Sequence, residues 1–327
     1  MARTAFITGA TGFVGLNLVE ALLGHDWEVI AFHRATSDIS GLQRFRNVET
    51  VVGDITDARS IKDAMPRNVD CVFHTAGNTS LWIRDQVEQI KVNARGSRNV
   101  ARAALENGAK RLVHTSSIVA YGVHSGVISE DTPTRGSAVE ITHIRSKAMA
   151  EREVRRVMSS GLPAVIINPS NLIGRYDTGS WSRFFRLIKQ GRLPLIPPGG
   201  GSFCHAQNVA QAMVTAAERG QLGHNYLLGG AQASYVGLAR TIAKELGLKR
   251  RFAPINPAML AMYAGLEEWI APLFGREPDV TRGAVDLLSK NFYCSSRKAE
   301  QELGYKAVPL DEMVRDCTTW MRSAGLL

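Results

Sequence analysis

Residues 7–15 read ITGATGFVG, and this stretch decides the fold. It follows a short β-branched run at residues 4–8 and opens into a helical pattern at residues 13–24. Gly9 permits a tight turn out of the strand, Gly12 lets the backbone approach a pyrophosphate, and Gly15 lets helix and strand pack closely. The helix N-terminus offers unpaired amides and the positive end of its dipole, with Thr11 and Phe13 beside the phosphates. A glycine triplet by itself is a weak signal. Placed between the first strand and first helix of a β-α-β unit, it predicts a dinucleotide site.

Working outward, apolar runs at residues 28–33, 49–52, 71–75, 112–115 and 164–168 predict further strands. Several are nearly continuous in Val, Ile and Phe, as expected when helices cover both faces of a parallel sheet. Helical patterns lie between them at residues 86–108 and 141–160. Six strands with right-handed crossovers make a doubly wound α/β sheet of the Rossmann type. After Pro169 the texture changes: residues 170–205 are rich in Gly, Pro and Ser and read as loop. Helices are then predicted at 207–219, 234–246, 257–273, 296–303 and 310–324. The organisation expected is a dinucleotide-binding domain over residues 1–170. A smaller, mainly helical lid that shapes the substrate site follows over 171–327, with some segments returning to the core.

The chain's 327 residues suit roughly two such units. With 45% hydrophobic and 21% charged residues, disordered, collagen-like and coiled-coil readings fall away. The four cysteines, Cys71, Cys204, Cys294 and Cys317, lie far apart with no metal-ligand spacing, which predicts free thiols in a reducing compartment and no metal site. The opening residues lack the pattern of a signal peptide, and the apolar stretch 258–275 is interrupted by Glu267 and Glu268, so a cytoplasmic protein without a membrane span is expected. Lys and Arg number 39 against 30 Asp and Glu, a net charge of +9. The arginines are dispersed, apart from Lys249-Arg250-Arg251, so a solvated basic face or an anionic small molecule is expected rather than nucleic acid.

The spacing of the turn is G-x-x-G-x-x-G, and here the chain resembles the extended short-chain dehydrogenase/reductase (NAD-dependent epimerase/dehydratase) family, whose opening motif is T-G-A-x-G-F-x-G. Segments 168–174 (NPSNLIG) and 280–299 (VTRGAVDLLSKNFYCSSRKA) look closest to its dihydroflavonol-reductase-like and hopanoid-associated sugar-epimerase-like branches. The resemblance implies that Asp54 and Ile55 lie beside the adenine, Thr75, Ala76 and Gly77 under the cofactor ribose, and Pro169 and Ser170 by the nicotinamide. Asn93 would organise the active site. The second strand ends EVIAFHRATSD at residues 28–38. It lacks the terminal carboxylate that would hold a ribose 2′-hydroxyl. Arg34 stands there instead and suits a 2′-phosphate, so NADP(H) is favoured. NAD(H), with Asp38 folding back to the ribose, is the alternative.

Family members use a Ser/Thr with Tyr-x-x-x-Lys on one helix. The serine is present as Ser117, with Ser116 as its neighbour, and the lysine as Lys147. Four residues before Lys147 stands His143, not tyrosine. Three readings follow: His143 replaces tyrosine in acid–base work, the site has given up redox chemistry, or the mechanism is rearranged. As imidazolium it would donate a proton to a reduced carbonyl oxygen, and as neutral imidazole accept one from an alcohol. Trp82, Tyr121 and Asn171 are candidates for the substrate pocket, whereas His74 and His114 read as packed strand residues. The resemblance implies an NADP(H)-dependent oxidoreductase acting on a carbonyl or secondary alcohol of a medium-sized substrate, working as a homodimer through the two helices carrying Asn93 and Lys147. The alternatives are a nucleotide-sugar epimerase or dehydratase with tightly held NAD(P), and a non-catalytic NADP(H)-binding regulator.

Overall fold

In a computed structural model, residues 2–81, 86–179, 181–193, 195–275, 278 and 280–327 are described. The first half contains strands β1 (Arg3–Thr8), β2 (Trp27–His33), β3 (Val48–Val52), β4 (Cys71–His74), β5 (Leu112–Thr115), β6 (Val127–Ile128) and β7 (Ala164–Pro169). Helices α1 (Phe13–Leu23), α2 (Ala58–Ala64), α3 (Gln86–Ile90), α4 (Ser97–Glu106) and α5 (Thr142–Met158) lie between them. The second half adds β8 (Asn171–Ile173), α6 (Trp181–Gln190), β9 (Leu195–Ile196), β10 (Gly200–His205), α7 (Ala206–Arg219), β11 (Asn225–Leu228) and β12 (Ala231–Ser234). It ends with α8 (Tyr235–Glu245), β13 (Ala253–Pro254), α9 (Pro257–Ile270), α10 (Arg282–Leu288), β14 (Asn291–Cys294), α11 (Arg297–Leu303) and α12 (Leu310–Ser323).

Seven strands form one parallel sheet in the order β11-β7-β5-β4-β1-β2-β3. Ile7 pairs with Ala31 on one side and Phe73 on the other. Every residue of β4, β5 and β7 is buried, which explains why their sequences are apolar on both faces. One face packs Ile7, Leu18, Val113, Met213 and Tyr226 together. The other gathers Phe6, Phe32, Val72, Val100 and Val154. Fully burying a side chain such as Phe6 or Leu18 stabilises the fold by about 1.5–3 kcal/mol.

Chain order reverses between β1 and β4, so the crevice beyond their C-terminal ends is where a ligand belongs in such a sheet. The turns after β1, β4, β5 and β7 carry Gly9, Thr75–Gly77, Ser116–Ser117 and Ser170 into it.

Three expectations are corrected. The main sheet has a seventh strand, β11, supplied from beyond residue 171, and α7 from the same half packs on α1. The second half is mainly helical but also contributes strands to a smaller sheet, in which β12, β10, β14 and β6 lie side by side with β8 beside β10. Residues 170–205 are not simply loop, since α6 and β8–β10 lie there. Gly200 and Gly201 are strand residues because nothing larger fits; an added Cβ would lie 2.6 Å from the Ala233 carbonyl or 2.7 Å from Asn171 Nδ2. The helix expected at 86–108 is interrupted by a wider π-helical turn, Lys91–Gly96.

Candidate active site

The phosphate turn is built by close approach. Gly9 has φ +78°, and a Cβ there would sit 2.5 Å from the Ala76 amide nitrogen. At Gly15 a Cβ would meet the Gly9 carbonyl at 2.1 Å. Gly12 caps α1 without a side chain, its amide donating to Gly9 O at 3.0 Å, and an added Cβ there meets nothing nearer than 3.4 Å. The amides of the first turn therefore face outward without a competing side-chain acceptor, beside Thr11 and Phe13. This cradle fits a dinucleotide pyrophosphate. Thr75 is tied to β1 by its amide (3.0 Å) and hydroxyl (2.8 Å), both donating to Thr8 O.

At the end of β2, Arg34 is exposed and makes no ion pair with the described residues. The exposed Asp38 carboxylate accepts the Ser40 amide at 2.9 Å, which holds its pKa low. Asp54 likewise accepts the Thr56 amide at 2.8 Å. Ile55 is buried against Gly96, and its carbonyl accepts from Asn99 Nδ2 at 2.9 Å.

The predicted catalytic residues converge. Asn93, in the π-helical turn, donates to Asn78 O and Ser146 Oγ, both at 2.9 Å, and its Oδ1 accepts from the Asn78 amide at 2.8 Å. It thus fastens the loop after β4 to α5. A Cβ on Gly77 would be 3.3 Å from Asn93 Oδ1 and 3.4 Å from Lys147 Nζ, which places the ammonium against the turn expected beneath the ribose. Lys147 is buried, its Nζ donates to Thr115 O at 3.5 Å, and desolvation lowers its pKa to about 8.

His143 lies one helical turn before Lys147 on the same face of α5. It is partly buried, and its Nδ1 is enclosed without a hydrogen-bond partner among the described residues. Burial first, and the Lys147 charge second, lower its pKa to about 4, so the ring is neutral at pH 7. Ser117 caps the short turn Ile118–Tyr121, against which α5 packs. Its hydroxyl makes only long contacts, donating to Pro169 O at 3.4 Å and accepting from the Val119 amide at 3.3 Å. It is therefore readily drawn to a better partner. Ser116 has no such freedom, because its hydroxyl is buried and donates to Glu151 Oε2 at 3.0 Å.

That carboxylate anchors a network the sequence did not reveal. Glu151, four residues beyond Lys147, also accepts from Asn168 Nδ2 (3.1 Å) and Asn225 Nδ2 (2.8 Å), and Arg155 pairs with it at 3.4 Å. It locks α5 to β7 and β11 under the site. The only sequence signal was its helical spacing from Lys147.

The pocket candidates fare unevenly. Tyr121 is only 2% exposed and packs with Ile118, Ile144, Leu227 and Phe292. Asn171 is partly buried, its Nδ2 donating to Ser202 O at 2.9 Å. Trp82 lies outside the described residues. Ser170 follows β7, its amide donating to Leu228 O at 2.9 Å. His74 is bridged between Thr8 Oγ1 (2.7 Å) and Ser97 Oγ (2.8 Å) and stacks on His114 with ring centroids 5.2 Å apart. His205 is held by Asn208 (2.8 Å) and Asp316 (3.2 Å), a latch between α7 and α12. No group of described residues could hold a metal ion, and no described helix is long and apolar enough to cross a membrane.

Comparison with known proteins bears on this arrangement. The model of the NAD dependent epimerase/dehydratase family matches residues 5–229. "Sterol demethylase protein B" of Methylococcus capsulatus is 30% identical over 329 residues, covering 99% of this chain and 100% of that one. The 4-hydroxy-2-methyl-3-oxo-4-farnesyl-3,4-dihydroquinoline-1-oxide ketoreductase of Stigmatella aurantiaca is 28% identical over 307 residues, covering 92% and 91%. The crystal structure of gox2253 superposes with a TM-score of 0.86 at 33% identity, covering 99% of both chains.

Proposed function

This chain belongs to the NAD dependent epimerase/dehydratase family of NAD(P)-dependent enzymes, and we propose that within it the protein is an NADP(H)-dependent oxidoreductase interconverting a secondary alcohol and a ketone on a medium-sized, partly apolar substrate. The observation that carries the reading is the convergence of Lys147, Asn93 and Gly77 beside the turn capped by Ser117, with the neutral His143 on the same helix face as Lys147. The apolar character of the substrate draws support from the sterol and farnesyl-quinoline names of the two relatives.

The bound nicotinamide cofactor supplies the hydride acceptor or donor. The phosphate turn from Gly9 to Gly15 and the first amides of α1 hold its pyrophosphate, and the Lys147 ammonium holds its ribose hydroxyls. Arg34 reads a 2′-phosphate, since it stands exposed where no carboxylate ends β2. Ser117 donates a hydrogen bond to the substrate oxygen. The neutral imidazole of His143 takes the hydroxyl proton during alcohol oxidation, leaving a ketone and an imidazolium, and returns it in the reverse direction. With a pKa of about 4, it works at neutral pH as a base and is a scarce acid.

The test is turnover of a panel of secondary alcohols and ketones with NADP(H) and NAD(H). Reversible turnover preferring the phosphorylated cofactor supports the reading. Nicotinamide released only on denaturing the purified protein transfers it to the epimerases and dehydratases. Tight NADPH binding without turnover on any substrate makes it a regulator. A cytoplasmic homodimer through α4 and α5 is part of the same proposal.

A further inference from the structure

Helix α9 is apolar on two sides. Leu260 and Ala264 face inward and pack with Val285, Ile255 and Val280. The opposite face carries Met259, Met262, Tyr263, Leu266 and Trp269, continued by Leu273 and Phe274 in the following turn. Positions 259, 262, 263, 266 and 269 recur at the spacing that puts side chains on one stripe of a helix. Trp269 is 71%, Met262 73% and Phe274 75% exposed. Of the two glutamates of α9, Glu268 accepts the Arg282 amide at 3.0 Å on the α10 side and Glu267 is half-buried. A helix with apolar side chains on two faces belongs buried on both, and among the described residues this one is covered on one.

The surroundings indicate the occupant. The one tight basic cluster of the sequence, Lys249-Arg250-Arg251, is exposed just before α9, five residues ahead of Pro257. The connecting stretch spans at most about 20 Å. An apolar stripe holding Trp, Tyr, Met and Leu, on a chain of net charge +9 and with a cluster of three exposed cations ending within about 20 Å of the start of its helix, matches the interface of an anionic bilayer: apolar side chains enter the acyl boundary while cations meet lipid phosphates. We propose that α9 and the turn after it dock the protein in the plane of an anionic membrane surface.

The other side of α9, through α10, is connected to the site. Thr281, the cap of α10, donates its hydroxyl to Leu81 O at 2.8 Å. Leu81 ends the segment whose earlier carbonyls, at Asn78 and Ser80, accept from Gln89 and Asn93. The stripe itself lies on the side of α9 away from α10, and the docking does not rest on the oxidoreductase reading.

The experiment is co-sedimentation of the full-length protein with phosphatidylcholine vesicles, with and without phosphatidylglycerol. Leu266→Glu/Trp269→Glu and Lys249→Ser/Arg250→Ser/Arg251→Ser are compared with wild type. Wild type is expected to bind the anionic vesicles. The apolar pair is expected to lose at least about tenfold in partitioning, and the basic triple about 100-fold at low salt, near fivefold per cation. Unchanged thermal melts of both variants confirm that they fold. Failure of wild type to bind any vesicle overturns the proposal, and so does binding that survives Leu266→Glu/Trp269→Glu. A lipid-free dimer that the same pair dissociates, seen by sedimentation velocity, overturns it in favour of a second copy of this chain. NADPH turnover without lipid is read separately, so loss of that activity leaves the docking result intact.

Discussion

His74 makes the protein sensitive to mild acid in a calculable way. Its ring is 1% exposed, and burial, followed by the Lys147 charge, lowers its pKa to about 3. In the unfolded chain a histidine titrates near 6.5. Between those values the unfolded state holds one proton more than the folded state, so stability falls as pH falls through that window. The slope approaches about 1.4 kcal/mol per pH unit, and integration from pH 7 to pH 5 gives a loss of about 2 kcal/mol from this residue. His114 shifts in the same direction for the same leading cause, so it adds to the loss. The perturbation is His74→Asn, read by equilibrium urea unfolding at pH 7 and pH 5. The variant forfeits bonds to Thr8 and Ser97 and will be weaker at both pH values. The informative quantity is the difference between the two pH values, which should be about 2 kcal/mol smaller in the variant than in wild type. An equal pH-dependent loss in both proteins would refute the idea that His74 is held neutral.

Three further outcomes are expected. Arg34→Ala should raise the NADPH dissociation constant about 10-fold or more, the worth of a charge-assisted pair, while leaving NADH binding unchanged in isothermal titration. Gly15→Ala puts a Cβ 2.1 Å from the Gly9 carbonyl, so the turn must open; cofactor affinity should drop by at least about 100-fold in the same titration. Glu151→Ala leaves the buried Ser116 hydroxyl and one N–H each of Asn168 and Asn225 unpaired, the other N–H groups keeping Ser117 O and Asn168 Oδ1. Denaturant unfolding should show a loss of about 3–6 kcal/mol, and Glu151→Gln, which keeps an acceptor oxygen, should lose distinctly less.

The dinucleotide half was legible because its signals are local. Gly9, Gly12 and Gly15 sit within one turn, and β4, β5 and β7 are buried along their whole length and largely apolar, since both faces are covered. The second half was hidden for the opposite reason. Gly200 and Gly201 signal loop by composition, yet they are strand residues pressed against Ala233 and Asn171, a contact made only once the sheet is assembled. β11 carries just four residues, and nothing near it in sequence shows that it will close the edge of a sheet begun more than 200 residues earlier. The break in the helix at 91–96 carries Asn93, whose partners Asn78 and Ser146 are distant in the chain, so no local signal announces it. At the site, Ser117, His143 and Lys147 could be placed by spacing, but Tyr121 could not be assigned to core or pocket until its neighbours were known. The preference for Ser117 over Ser116 gains its physical reason only from Glu151, which occupies Ser116.

The most direct test of the account is the pH dependence of NADP-linked secondary-alcohol oxidation by wild type and His143→Phe. It is assayed by pH jump so that acid unfolding does not intervene. Neutral His143 and charged Lys147 are both required, so wild-type activity should form a plateau bounded by pKa values of about 4 and about 8. His143→Phe should fall by about 10²–10⁴-fold and lose the acidic limb while keeping the basic one. An unchanged rate in the variant, or an acidic limb that survives the loss of the imidazole, would contradict the assignment of proton transfer to His143.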